Sequence, residues 1–241
     1  GDEGAGRPFS FGDPPENGRL HVAVGLVALW PGFFHSGRPR SDFGEYIGIV
    51  RVHLGGQRLV FRVIPPAAFK TAPWRNGGGV THEIAREDAD GALIWRISIA
   101  EVASDGPFSR FEGLAGILTV IEGAGLDLVA PDGVVAARPG VPVRFSGDIP
   151  VDCRLVAGAV RDLNVIFDAR RIDAEVSVAS GPAAIPIGGP QLAGFVGLSG
   201  GVNVDGVPLE PGAFALGPGG EIRLSPGASG LLVRLAASPS R

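Results

Sequence analysis

The run Pro73-Trp74-Arg75-Asn76-Gly77-Gly78-Gly79-Val80-Thr81-His82-Glu83-Ile84-Ala85 concentrates polar chemistry in a short space. Its three glycines let the backbone take positive φ and approach a ligand closely. Around them sit an indole, a guanidinium, an amide, a hydroxyl, an imidazole and a carboxylate. Further along, Arg96 and Ser98 interrupt an apolar run, and Asp105, Phe108, Ser109 and Arg110 cluster around Pro107. Asp162 and Asn164 follow in a later apolar stretch. Arg75, Arg96 and Arg110 carry guanidinium forks that match a carboxylate in two-pronged fashion. Asn76, Ser98, Ser109 and Asn164 supply neutral hydrogen bonds. Glu83, Asp105 and Asp162 can receive an imidazole or imino N–H. Trp74 and Phe108 can cover a planar ring. The set suits a small anion. Plainer roles stand beside these: Asp105 and Ser109 as caps of a turn, Trp74 and Phe108 as core, and Arg161–Asp162 as a weak surface pair.

Strands must position these groups. Val80, His82 and Ile84 alternate with Thr81, Glu83 and Ala85, the period of a strand leaving the glycine loop. Thr81 and Glu83 then share one face, with Gly77 and Gly78 in the loop before them, and His82 points the other way. Leu93, Trp95, Ile97 and Ile99 form one face of the next strand; Ile94, Arg96, Ser98 and Ala100 form the other. Asp105-Gly106-Pro107 reads as a turn. Strands are expected at 114–121, 126–130, 141–145, 152–157 and 163–167, with turns at Asp132-Gly133 and Pro139-Gly140 between them.

Four ordered blocks carry a family resemblance: 74–85, Trp95-Arg96-Ile97-Ser98-Ile99-Ala100, Asp105-Gly106-Pro107-Phe108-Ser109-Arg110-Phe111, and Arg161-Asp162-Leu163-Asn164-Val165. Together they resemble the HutD/Ves family, over roughly residues 63–241. The resemblance implies an all-β, two-cupin (RmlC-like jelly-roll) fold of two stacked antiparallel barrel or sandwich units. It also implies no defined catalytic metal, and a tie to histidine utilisation. Urocanate and a formyl or formimino glutamate are the ligands that tie suggests. Metal-binding cupins hold their ion with several histidines and a carboxylate. Of His21, His35, His53 and His82, only His82 lies in the matched region. No metal and no cofactor are therefore expected.

Other chemistries lack their signatures. The glycine loop lacks the Lys-Ser/Thr of a phosphate loop. The single Cys153 excludes an intramolecular disulfide, and its apolar surroundings suit a buried thiol. A net charge of −4 without a basic stripe argues against nucleic acid. The 39 glycines and 21 prolines, with 45% hydrophobic residues, fit many short strands joined by tight turns.

Residues 1–61 read as a partly disordered N-terminal extension, either genuine or an upstream stretch included by a misplaced start. Their apolar run 21–34 is too short to span a bilayer and is poorly placed for a signal peptide. After that run, segments 46–52 and 58–64 can form strands. Residues 62–241 are expected to fold as the two-cupin region, with units at about 62–168 and 169–241 that exchange strands. A weak repeat supports the duplication. Glu122-Gly123, Asp132-Gly133 and Pro139-Gly140 are echoed by Ser199-Gly200, Asp205-Gly206 and Pro211-Gly212, roughly 75 residues on.

The leading expectation is a metal-free, non-enzymatic cytoplasmic protein that binds a small carboxylate metabolite of histidine catabolism and moderates that pathway. A homodimer is left open. The alternatives are a metal-free isomerase or hydrolase using Glu83 or Asp105 as general base, and a protein interaction module.

Overall fold

A computed structural model describes residues 48–54, 57–189 and 191–239. Expectations for residues 1–47, including the apolar run 21–34, lie outside the described residues. Twenty strands and one 3-10 turn, Pro66–Ala68, account for the regular structure described. The first half runs β1 Gly48–Leu54, β2 Gln57–Ile64, β3 Lys70–Pro73, β4 Gly79–Ala89, β5 Ala92–Val102, β6 Gly106–Pro107, β7 Ala115–Glu122, β8 Leu126–Ala130, β9 Gly133–Ala137 and β10 Val143–Ser146. It continues with β11 Asp152–Leu155, β12 Val160–Phe167, β13 Ile172–Ser180, β14 Ala183–Ile187, β15 Gln191–Ser199 and β16 Val202–Val204. The last strands are β17 Val207–Pro208, β18 Phe214–Gly217, β19 Gly220–Leu224 and β20 Ser229–Ala237.

Glycine and proline punctuation explains the shortness of these strands. Positive φ falls on Gly123, Gly133 and Gly140 in one half and on Gly200, Gly206 and Gly212 in the other. These are the turns the internal repeat singles out. The repeat is structural. One six-stranded sheet has the order β10-β7-β12-β5-β4-β3, the other β1-β2-β18-β15-β20-β13. The shared block β10-β7-β12-β5 matches β18-β15-β20-β13 strand for strand. The two four-stranded sheets, β6-β11-β8-β9 and β14-β19-β16-β17, match in the same way. Every pairing is antiparallel. This is the expected all-β, two-cupin architecture.

Strand alternation sorts side chains into layers. Trp95, Ile97 and Ile99 of β5, with Leu163 and Val165 of β12, join Val176, Val196, Leu231 and Val233 of the second large sheet in one core. The large sheets therefore pack back to back. On the opposite face, Ala100, Val102, Leu118 and Val120 pack on Leu126, Leu128 and Cys153 of the first small sheet. The second unit repeats this with Phe195 and Leu232 against Val204 and Ile222. The first unit keeps part of its interior open.

The boundary expected at residues 61/62 meets a strand that crosses it. β2 pairs with β18 of the second unit, Ile64 opposite Phe214. Phe61 is fully buried in the second unit's core. Between the units, the chain leaves the first large sheet at Phe167 and enters the second at Ile172.

Candidate functional site

The first unit forms a partly open cavity of about 670 Å³ between its large sheet and the segment 107–111 that begins in β6. Register fixes its floor. Asn164 of β12 lies opposite Ser98 of β5, which lies opposite Glu83 of β4, which lies opposite Lys70 of β3. One step along, Asp162, Ala100, Thr81 and Ala72 form a second row. One step the other way, Arg96 faces Ile166. Period-2 alternation sends all these side chains to one face, and the opposite face goes into the core between the units.

Arg96 is half-buried, its guanidinium 5.1 Å from the centre of the Phe111 ring. Burial pushes that guanidinium below its ordinary value, and the charge of Glu83 acts in the opposite direction. Its Nε has no hydrogen-bond partner in the protein. Glu83 stands 3.6 Å from Arg86. Trp74 and Phe108 meet edge to face, 5.7 Å apart, and the Trp74 Nε1–H donates to Thr81 Oγ1 at 2.8 Å. Gly79 has to be glycine: a Cβ there would sit 2.4 Å from the Glu101 carbonyl and 3.0 Å from the indole.

Asp162 is the most buried polar group of the site, at 0% exposure. The Asn164 amide donates to its Oδ1, while Oδ2 has no partner. Burial pushes the carboxyl from 3.8 up to about 7, against the pull of the Asn164 hydrogen bond. The folded protein thus holds a proton that the unfolded chain releases near pH 4. Stability should fall as pH rises from about 4 to 7 and level off above, because the unfolded state binds fewer protons in that window. Asp162→Asn removes this dependence. In thermal unfolding at pH 5 and pH 8 the variant should lose less stability between the two than the parent. Equal losses would place the titrating group elsewhere.

The structure brings together most of the residues singled out from sequence. Trp74, Arg75, Asn76, Thr81, Glu83, Arg96, Ser98, Phe108, Ser109, Asp162 and Asn164 line the cavity. Four others are placed off its wall. Asp105 accepts the Leu155 N–H at 2.8 Å and so caps β11. Arg110 donates to the Asp148 carbonyl at 2.9 Å. The Gly77 N–H donates to the Trp74 carbonyl, and the Gly78 N–H to Asn76 Oδ1, both at 3.0 Å. The loop thus satisfies these two amides itself, and they do not face an anion. The surface pairing of Arg161 with Asp162 is also corrected. Neighbours on a strand point to opposite faces: Arg161 bonds Glu122 at 2.6 Å, and Asp162 points inward.

Sequence reasoning passed over Lys70, Phe111 and Phe145. Lys70 is the chain's only lysine, and its place opposite Glu83 on an edge strand has no signal in periodicity. His82 points away from the cavity, with Nδ1 2.9 Å from Thr71 Oγ1 and Nε2 3.3 Å from Glu101. Cys153 is buried, and its thiol is pushed up to about 12 by burial and by Asp105, Asp162 and Asp127, so it is no thiolate nucleophile at neutral pH. Among the described residues, no three His, Cys, Asp or Glu side chains gather as a metal site. No described helix is long and apolar enough to cross a membrane.

The model of the family described as HutD matches residues 66–233, a span that takes in the whole floor of the cavity. The chain belongs to the HutD family. HutD from Pseudomonas fluorescens SBW25 is 30% identical, with a TM-score of 0.66, and the match covers 74% of this chain and 99% of that one. An uncharacterised 21.2 kDa protein in the hutC 3' region of Pseudomonas putida is 42% identical over 109 residues, 43% of this chain and 56% of that protein. Protein Ves of Escherichia fergusonii is 34% identical over 109 residues, 44% of this chain and 57% of that protein. The chain thus spans about half the length of these two curated relatives. β1 and β2 lie outside the stretch that the HutD model matches.

Proposed function

We propose that this HutD-family chain binds a small carboxylate metabolite of histidine catabolism, such as urocanate or a formyl or formimino glutamate, and moderates that pathway. The observation that carries the reading is Arg96. Its guanidinium is half-buried, stacked near Phe111, and lines a cavity of about 670 Å³ with one N–H unmatched by the protein. Such a group gains from a charge-assisted, two-pronged contact with a carboxylate. The volume lies in the range of small-molecule sites, roughly 300–1,000 Å³. The hutC context of the Pseudomonas putida relative supports the pathway. A cytoplasmic setting belongs to the same reading, and the single buried cysteine is compatible with it.

Asp162 favours a second reading. A carboxyl that titrates near neutrality inside a cavity can serve as a general acid or base. A metal-free isomerase or hydrolase would use it in place of Asp105, whose carboxylate is committed to Leu155. A thermal-shift panel of urocanate, N-formimino-glutamate, N-formyl-glutamate and their methyl esters tests both readings when product formation is followed in parallel. A binder at a hundredfold excess over its Kd should raise stability by about 2.7 kcal/mol. Stabilisation by the acids but not the esters, without turnover, is the expected result. Turnover lost in Asp162→Asn would favour the enzyme.

A further inference from the structure

Two ionisable groups stand at opposite ends of the cavity floor. Arg96 faces Ile166 across the sheet, and Asp162 faces Ala100. The two rows lie four positions apart along β5, about 13 Å of strand. Between them lie the neutral side chains of Ser98 and Asn164. A carboxylate held at Arg96 therefore belongs to a molecule that extends along this strip toward Asp162. There, Oδ2 lacks a partner although the side chain is fully buried.

We infer that Asp162 is the counter-charge for a cationic nitrogen of the ligand, so that the site takes a carboxylate whose far end is an amidinium or another charged N–H donor. This inference rests on the carboxylate reading of Arg96. A buried carboxylate is costly unless paired, and among the described residues no cation lies within ion-pair distance of Asp162. The ionisable groups around it are otherwise engaged. Cys153 of β11 is a protonated thiol. Asp105, before β6, accepts the Leu155 N–H. Glu83 of β4 pairs with Arg86. Lys70 lies three strands away across the sheet, in the neighbouring row, opposite Glu83. A ligand cation would hold Asp162 ionised. Binding near pH 6.5 would then release a proton, and affinity would rise with pH until Asp162 is ionised in the free protein.

Three probes separate the two ends in calorimetry on the full chain, run at pH 6.5 in two buffers of different ionisation enthalpy. Glutarate offers carboxylates alone. N-formyl-glutamate and N-formimino-glutamate differ at one position, a carbonyl oxygen against a charged =NH₂⁺. The formimino compound should bind about tenfold more tightly or better, the value of one hydrogen bond to a charged partner, with net proton release. Asp162→Asn should narrow that preference to less than about threefold. Equal or tighter binding of the formyl compound by the parent protein, or net proton uptake, would overturn the assignment. Should Asp162→Asn fail to fold, the comparison of probes on the parent protein decides by itself. If glutarate and the formyl compound bind and the formimino compound has no advantage, the Asp162 assignment alone falls. If none of the three binds, the carboxylate reading of Arg96 falls and takes this inference with it.

Discussion

Arg96→Leu should weaken carboxylate binding by about 2–5 kcal/mol, because it leaves the ligand's charge buried without a partner. Leucine removes the guanidinium that lies over Phe111 but leaves the pairing of β5 with β4 and β12 untouched, so the fold should persist. The loss should appear as a faster off-rate more than a slower on-rate, since a buried contact holds the ligand once it has docked. Arg161→Leu is the control. It lies one residue from Asp162 on the opposite face and bonds Glu122 near solvent. Its effect on binding should stay within about 0.5 kcal/mol. Calorimetry with N-formyl-glutamate measures both. Equal losses in the two variants would mean that overall charge, not the cavity, governs binding.

Phe61→Ala should destabilise the chain by about 3–5 kcal/mol, as for other buried aromatic truncations. The ring is fully buried in the second unit. It packs on Gly220, where an added Cβ would come within 2.7 Å of it. A loss of this size is a large part of a typical total of about 5–15 kcal/mol. Urea unfolding of the full chain gives the value directly. A chain beginning at residue 66 should lose at least as much. It lacks the whole of β2 and leaves the β18 edge, Phe214–Leu216, unpaired. An unchanged urea midpoint in both proteins would make β2 an addition without structural weight.

Local signals carried much of the architecture. Turn dipeptides helped to locate β8 and β10 and marked the matching turns of the second half, because each hairpin needs its own glycine or proline. Alternation along 93–100 identified the strand that carries Arg96 and Ser98, and the polar pair on its second face proved to line a cavity. Long-range pairing left no such trace. That β2 joins β18 depends on residues 64 and 214 meeting, and periodicity in either strand is silent about its partner. The glycine loop misled for a different reason. Its glycines suggested a close approach of backbone to ligand, yet the Gly78 N–H donates to Asn76 Oδ1, a habit of asparagine in turns that was available as a signal. Strand alternation also held the answer for Arg161 and Asp162, since adjacent strand residues cannot share a face. The unusual state of Asp162 arises from burial under a separate sheet, and no local pattern encodes that.

A crystal structure of the protein grown with the tightest-binding acid of the thermal-shift panel tests the central claim most directly. The ligand carboxylate should lie in the first-unit cavity within hydrogen-bond distance, about 2.7–3.0 Å, of the Arg96 guanidinium. A ligand ordered outside that cavity, or lying within it with its carboxylate away from Arg96, would contradict the account.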